Sequence, residues 1–295
     1  MKKLLVHLHI HYHDQIDYFI EKMKNINGID WDLNATLTNW NEDTVKKLKE
    51  LKPDAKISLV ENRGYDIWPF IKVIRDADLD NYDFVIKLHT KRDVRKCAAN
   101  VIPMKGYEWR DALTDGILYS PEYFRQILED FKRDNSIGMI SNLKTYSKRN
   151  WDSYFPRVKE ELEKLGLEAK GNHFCMGTMF MARSSVLAPL KSEAINKEIF
   201  KDTINDSKRD FTSAHYYERL LSILPDSLGL RHVAKSPVLK EKIWIKSARI
   251  LEKPVRWIFG IEKKGPHKRK FIRILGLEFY IQSDKPKSQN ENNIT

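Results

Sequence analysis

The feature that most constrains the fold is an alternation of two hydrophobic periods along the chain. Strand-like runs occur at Leu4–Tyr12, Asp32–Leu37, Lys56–Val60, Phe84–His89, Ile137–Ser141 and Thr178–Met181. Amphipathic helical patterns lie between several of them, at Gln15–Ile26, Glu42–Leu51, Pro69–Ala77 and Glu122–Lys132. We therefore predict an α/β fold with a mainly parallel sheet flanked by helices. Because ligands of such sheets bind beyond the carboxyl ends of the strands, the residues that follow each strand are the candidates for function.

Charge separates the C-terminal part from the rest of the chain. Residues 240–273 contain twelve lysines and arginines against three acids, whereas residues 1–239 have a net charge of only +3. We predict an α/β domain over residues 1–235, a basic amphipathic segment over 236–283 and a disordered polar tail over 284–295.

Localisation is predicted from what the sequence lacks. Cys97 and Cys175 are the only cysteines, too few for a disulfide framework, which favours a reducing cytoplasm. Histidines from His7 onward interrupt the apolar N-terminus before it reaches the length of a signal peptide. We find no apolar stretch of about 18 residues, so we expect no transmembrane helix.

Two segments that follow strands could bind a nucleotide diphosphate. In Asn62–Phe70, Gly64 permits a left-handed turn, Arg63 can bind phosphate, and Asp66 lies near a helix start, where it could also serve as a simple helix cap. In the next segment Lys87, His89 and Lys91 alternate onto one face, a concentration of donors suited to a pyrophosphate.

The first strand carries His7, His9, His11 and His13 on one face. A His-x-His pair at a strand end can bind zinc in a hydrolase, which would need further ligands after later strands. The alternative is that His9 and His11 line a nucleotide pocket at the mouth of this strand.

Two later segments are candidates for the acceptor side and for the catalytic base. Phe174–Arg183 is typical of a core strand preceded by a turn at Gly177. In Asp210–Leu220, His215, Glu218 and Arg219 share one helix face, where a carboxylate could deprotonate an acceptor hydroxyl. The other interpretation of this helix is an exposed surface helix with a Glu218 ion pair.

Taken in order, six motifs resemble the rhamnan synthesis protein F family over about Leu4 to Leu230. These motifs are ENRGYDIWPF, YDFVIKLHTKRD, EWRDALTDGIL, IGMISN, FCMGTMFMAR and DFTSAHYYERLL. The resemblance implies a glycosyltransferase-type protein of bacterial cell-wall polysaccharide and O-antigen assembly. The order of the six motifs along the chain is also similar to the GT-A glycosyltransferase plan, and this similarity implies a Rossmann-like sheet.

The GT-A resemblance implies roles for individual residues. Glu218 is the first candidate for the general base and Asp210 the second, with His215 beside them, whereas Asp66 would contact the donor. Further acceptor-side residues would be Gly177, Thr178 and Arg219.

The same resemblance implies a metal site that this sequence alters. His89-Thr90-Lys91 stands where the plan carries an Asp-x-Asp metal motif. No metal ligand is therefore assigned, and Mg²⁺ or Mn²⁺ is doubtful. Fixed positive charge would replace the ion in stabilising the leaving group.

The basic segment predicts a partner for the C-terminal part. Its tryptophans and lysines suit an anionic membrane surface, and nucleic acid, which also binds basic residues interleaved with aromatics, is not the expected partner. We expect a protein peripheral on the inner face of the plasma membrane, working on a lipid-linked oligosaccharide and beside other polysaccharide-assembly enzymes.

The predicted reaction moves a sugar, plausibly rhamnose, from a nucleotide-diphosphate donor to this acceptor with inversion. The rival functions are a metal-dependent hydrolase built on His7, His9 and His11, and a non-catalytic RNA- or polysaccharide-binding module.

Overall fold

The computed structural model describes residues 2–92, 94–99, 102–147, 153–203, 211–243, 245, 247, 250, 259–264, 269–275 and 277–281. Contacts divide the chain into two compact units, Met1–Lys242 and Ile243–Thr295. Within the described residues, no helix combines the length and apolarity needed to cross a bilayer.

The described residues of the first unit contain eleven strands, eight α-helices and a further helical segment that begins at residue 239. The strands are β1 (Lys3–Ile10), β2 (Trp31–Leu37), β3 (Lys56–Leu59), β4 (Tyr82–His89), β5 (Val94–Ala99), β6 (Ile102–Gly106), β7 (Ile137–Asn142), β8 (Tyr146–Ser147), β9 (Phe174–Cys175), β10 (Phe180–Arg183) and β11 (Arg231–Lys235). The helices are α1 (Ile16–Met23), α2 (Glu42–Leu51), α3 (Ile67–Asp76), α4 (Glu108–Leu118), α5 (Pro121–Arg133), α6 (Phe155–Lys164), α7 (Ser184–Leu187) and α8 (Ser213–Ser227).

Seven strands form the central sheet, in the order β11-β7-β10-β4-β1-β2-β3. Neighbouring strands run parallel, except that β10 is antiparallel to both β4 and β7. The predicted α/β class with a mainly parallel, Rossmann-like sheet is therefore confirmed. Because only β10 is reversed, the carboxyl ends of the other six strands meet at one edge together with the amino end of β10.

Alternation along β1 assigns its side chains to two cores. Leu4, Val6 and Leu8 are fully buried in the cluster that contains residues of α1, α4 and α5. Leu5 packs into the opposite cluster, which contains residues of α3, α6 and α8. The sheet is thus covered on both faces, and the histidines of β1 lie on the second face, where the His7 ring is 5.6 Å from that of Phe70.

The second unit contains a three-stranded antiparallel sheet of β12 (Phe259–Lys264), β13 (Arg269–Ile274) and β14 (Leu277–Ile281). Ile274, Leu275 and Leu277 are exposed where β13 passes into β14, and Leu275 has a φ of 48°. The aromatic and basic residues at 251–258 and the polar tail predicted over 284–295 lie outside the described residues.

Candidate functional site

A cleft of about 540 Å³ opens at the carboxyl edge of the central sheet. Its lining comes from the ends of β1 and β4, the loop before α3, and the helices α4 and α8. The lining residues are His9, His11, Tyr12, Asn62, Tyr65, Asp66, His89, Thr90, Lys91, Arg92, Trp109, Thr203, His215 and Glu218. Residues separated by as many as 209 positions along the chain therefore meet in one place, as the topology of a parallel sheet requires.

A buried ion pair forms the floor of this cleft. Lys87, on β4, has no exposed surface, and its ammonium group donates to Asp66 Oδ2 and to Thr178 Oγ1, the latter at 3.0 Å. Thr178 Oγ1 also donates to Asp66 Oδ2 at 3.2 Å. Three segments far apart in sequence are thus joined through one carboxylate, so the pair fixes the relative positions of β4, the start of α3 and the turn before β10.

Asp66 precedes the first residue of α3, yet its side chain makes no capping hydrogen bond. Burial alone would raise the pKa of Asp66, but electrostatic interactions with His89, Lys87 and Lys91 outweigh this effect and hold the pKa below its ordinary range. Asp66 is therefore ionised at neutral pH. The interpretation of Asp66 as a simple helix cap is wrong, because the carboxylate is turned toward Lys87.

Two turns with unusual backbone angles bring these side chains together. Gly64 has a φ of 69°, and a Cβ there would lie 2.6 Å from the Trp68 Cβ, so only glycine fits without rearrangement. Its N–H donates to Thr203 Oγ1 at 2.6 Å. Thr178 itself has a φ of 44°, a strained value for a β-branched residue that follows Gly177 in the turn before β10.

Histidines of the first strand pair with threonines instead of converging on one point. His7 Nε2 and His9 Nδ1 each lie 2.9 Å from Thr36 Oγ1, and His11 Nδ1 lies 3.0 Å from Thr38 Oγ1. Burial lowers the pKa of His9 to about 4, against a smaller raising effect of Asp66. In the part of the chain that the structure describes, no group of three or more His, Cys, Asp or Glu residues could hold a metal ion. Among those residues, the hydrolase interpretation therefore lacks the ligand set that it requires.

Glu218 and His215 line the cleft from α8. Burial raises the pKa of Glu218, the negative charge of Asp66 adds to the shift, and the nearby positive groups, Lys91 first among them, oppose it. His215 Nδ1 lies 2.8 Å from Thr212 Oγ1, one turn earlier. The cleft thus holds two carboxyl groups whose environments move their pKa values apart, an arrangement typical of sites that use acid–base chemistry.

Several predicted site residues lie away from the cleft surface. Arg63 donates to Glu61, Glu198 and the carbonyl of Lys197. Arg219 donates to the His215 carbonyl, and its guanidinium lies 3.4 Å from the centre of the Tyr154 ring.

Other members of the predicted set support the cleft from below. Gly64, Lys87, Gly177 and Thr178 shape or fix its floor without lining it. Asp210, the second candidate for the base, lies outside the described residues.

Sequence reasoning assigned no role to Trp109, which lines the cleft from α4. Lys91 Nζ lies 4.8 Å from the centre of the Trp109 ring. The side-chain amide of Gln15 accepts from the backbone N–H of Lys91 and donates to its carbonyl. The motif that contains Trp109 was recognisable, but nothing in its spacing indicates that this ring faces the end of β4.

A divalent cation does not fit the described donor set. The carboxyl groups at the cleft belong to Asp66 and Glu218, and Asp66 Oδ2 already accepts from Lys87 and Thr178. The positions that the GT-A plan gives to acids are occupied by His89 and Lys91.

Comparison with known proteins identifies the family of this chain. The family model of rhamnan synthesis protein F matches residues 1–228. Two proteins of Xanthomonas campestris pv. campestris, from strain B100 and a second strain, each named uncharacterized protein WxcX, are 26% identical over 185 residues. These alignments cover 60% of this chain and 25% of each relative, so the match spans about a quarter of their length. Since the family model covers more than half of the sequence, the chain belongs to the rhamnan synthesis protein F family, a family of polysaccharide synthesis.

Proposed function

We propose that this protein is a glycosyltransferase that moves a sugar, rhamnose in the leading case, from a nucleoside-diphosphate donor to a saccharide acceptor. The observation that carries the proposal is the cleft itself, which places the cations Lys91 and Arg92 at the end of β4 and the carboxyl group of Glu218 on α8. Membership of a polysaccharide-synthesis family supports the same reaction class.

The donor occupies the side of the cleft formed by β1 and β4. Lys91 and Arg92 neutralise the diphosphate, and the aromatic rings of Tyr12, Tyr65 and Trp109 offer faces for the nucleobase. Lys87 contributes to donor binding only indirectly, because its ammonium group forms an ion pair with Asp66.

The acceptor hydroxyl oxygen attacks the anomeric carbon of the donor sugar. As the new carbon–oxygen bond forms, the bond to the diphosphate breaks and its electron pair leaves on the β-phosphate oxygen. The hydroxyl proton passes to the Glu218 carboxylate, whose raised pKa suits a base that works near neutral pH. One direct displacement inverts the configuration at the anomeric carbon.

Donor binding is the first test of this proposal. We expect one nucleoside diphosphate and its sugar nucleotide, among UDP, GDP and dTDP and their glucose, mannose and rhamnose forms, to raise the melting midpoint in a thermal-shift screen. At a concentration of about 100 times Kd the stabilisation should be about 2.7 kcal/mol. The absence of any shift across all of these ligands would contradict the assignment.

We also propose that transfer is independent of a divalent metal. Fixed positive charge at Lys91 and Arg92 takes the place of the ion, so activity should survive exhaustive chelation. The measurement is transfer rate before and after EDTA treatment and dialysis. Loss of activity that Mg²⁺ or Mn²⁺ restores would overturn the metal-independent mechanism.

The acceptor and location follow from the charge of the C-terminal part. We propose a lipid-linked oligosaccharide acceptor on the inner face of the plasma membrane, where the basic segment over 236–283 binds anionic lipid. The exposed Ile274, Leu275 and Leu277 supply apolar side chains suited to such an interface. Other polysaccharide-assembly enzymes would supply the acceptor and extend the product.

A further inference from the structure

His89, the last residue of β4, is a buried imidazole at the wall of the cleft. Only 2% of its surface is exposed, and it pairs in register with His9 of β1. Its Nδ1 lies 3.4 Å from Asp66 Oδ2. Nδ1 and Nε2 are both buried, and neither has a hydrogen-bond partner among the residues that the structure describes. A polar atom in this position leaves a hydrogen bond to be made by whatever enters the cleft.

The protonation state of this ring follows from its surroundings. Burial lowers the pKa of His89 well below its ordinary range; Asp66 opposes this effect, and Lys87, Lys91 and His9 add to it. The ring is therefore neutral at pH 7 and carries one proton. The negative charge of Asp66, 3.4 Å from Nδ1, favours the tautomer that carries its proton on Nδ1, so Nε2 presents a lone pair.

The sequence suggested that His89 donates to a pyrophosphate, and this arrangement changes that role. The unpaired lone pair on Nε2 of a neutral ring repels phosphate oxygens, which are acceptors as well. It attracts a group that donates a hydrogen bond. A buried acceptor left without a partner is costly, so a ligand that offers a donor gains affinity over one that does not.

We propose that His89 is a specificity-determining residue, whose Nε2 accepts a hydrogen bond from a hydroxyl of the transferred sugar. This inference rests on the proposed glycosyl transfer. The charge of Asp66 beside Nδ1 favours this tautomer, and the Lys87 ammonium and Thr178 hydroxyl donate to Asp66 in turn. The buried network below the cleft thereby selects a hydroxyl-bearing sugar, while Lys91 and Arg92 bind the diphosphate.

The test compares sugar nucleotides with free nucleoside diphosphates by titration calorimetry. Three probe pairs are available: UDP with UDP-glucose, GDP with GDP-mannose, and dTDP with dTDP-rhamnose. The pair that binds the wild-type protein most tightly is used. His89→Phe keeps a planar ring and removes the acceptor. We expect it to weaken binding of the sugar nucleotide by about tenfold to a hundredfold and to leave the affinity for the free diphosphate unchanged. His89→Gln, which retains an acceptor oxygen, should recover part of the loss.

Deoxy analogues of the same sugar nucleotide identify the hydroxyl. Removing the hydroxyl that donates to Nε2 should weaken wild-type binding by the same factor and should not weaken binding to His89→Phe any further. Equal losses for the sugar nucleotide and the free diphosphate, or no loss for either, would overturn the role of His89. Failure of every probe to bind the wild-type protein would instead contradict the proposed function itself.

A measurement on the unmodified protein keeps the inference testable if the variants do not fold. Long-range nitrogen–proton NMR spectra of the histidine rings distinguish the two neutral tautomers. We expect His89 to be protonated on Nδ1 and its Nε2 signal to move when the sugar nucleotide is added but not when the free diphosphate is added. A ring protonated on Nε2 would exclude the proposed hydrogen bond.

Discussion

Glu218→Gln should abolish sugar transfer while leaving donor binding largely intact. The amide keeps the size of the side chain but cannot accept the proton of the attacking hydroxyl, so the loss of turnover should be about 10²- to 10⁴-fold. The raised pKa of Glu218 shows that the site favours protonation of this group, which an amide cannot undergo. The measurements are turnover with the tightest-binding sugar nucleotide and Kd for the corresponding free diphosphate.

The matched control is Glu163→Gln, on α6. This carboxylate is 58% exposed and pairs with Lys159 on the same helix, so the substitution should change neither turnover nor binding. Full turnover by Glu218→Gln would remove Glu218 from the role of base. A parallel loss of diphosphate affinity would show instead that the residue shapes the donor site.

Lys87→Met should destabilise the folded protein by about 3–5 kcal/mol. Methionine fills a similar volume, but Asp66 is then left as a buried charge without its ammonium partner, and that loss is far larger than the loss of a surface pair. Urea unfolding followed by circular dichroism gives the free energy difference. Replacing both partners, as Lys87→Met with Asp66→Asn, should recover much of it, since no uncompensated charge remains.

Lys72→Met provides the comparison for this experiment. Lys72 lies on the exposed side of α3 and pairs with Asp76 one turn later, with half of its side chain in solvent, so its replacement should cost less than about 0.5 kcal/mol. Equal losses in the free energy of unfolding for the two substitutions would show that the buried pair stabilises the fold no more than a surface pair does.

Acid should lower the free energy of unfolding of the wild-type protein, because it protonates Asp66 of the buried pair with Lys87. The pKa of Asp66 is lower in the folded than in the unfolded chain. Its contribution is therefore complete above the ordinary aspartate pKa and is lost as the pH falls through the folded value.

The sheet was predictable from the sequence because its strands and helices differ in hydrophobic period. The pattern at Glu42–Leu51 matches α2 residue for residue, and the strand predicted at Lys56–Val60 ends within one residue of β3. The reversal of β10 was not predictable, because strand direction is set by tertiary pairing and leaves no trace in a run as short as Phe180–Arg183.

The candidate site was predictable only in part. Polar residues beyond strand ends indicated His9, Asp66 and His89, because a parallel sheet brings these positions to one edge. Sequence alternation does place Lys87 and His89 on one face, but it cannot show that Lys87 is sealed beneath Asp66 while His89 reaches the cleft. Similarly, helical spacing groups Arg219 with Glu218, whereas the structure packs its guanidinium on Tyr154.

The reversed strand β10 also determines when the site can form during folding. Asp66 and Thr178 are 112 positions apart, and Lys87 and Thr178 are 91 apart. Until β10 inserts between β4 and β7, one edge of β4 has no partner and Lys87 lacks one of its two hydrogen-bond acceptors. A nascent chain must therefore expose the middle of its sheet until residues near 180 have left the ribosome. Closure of the sheet and assembly of the floor of the cleft therefore both depend on contacts of large sequence separation, which form slowly.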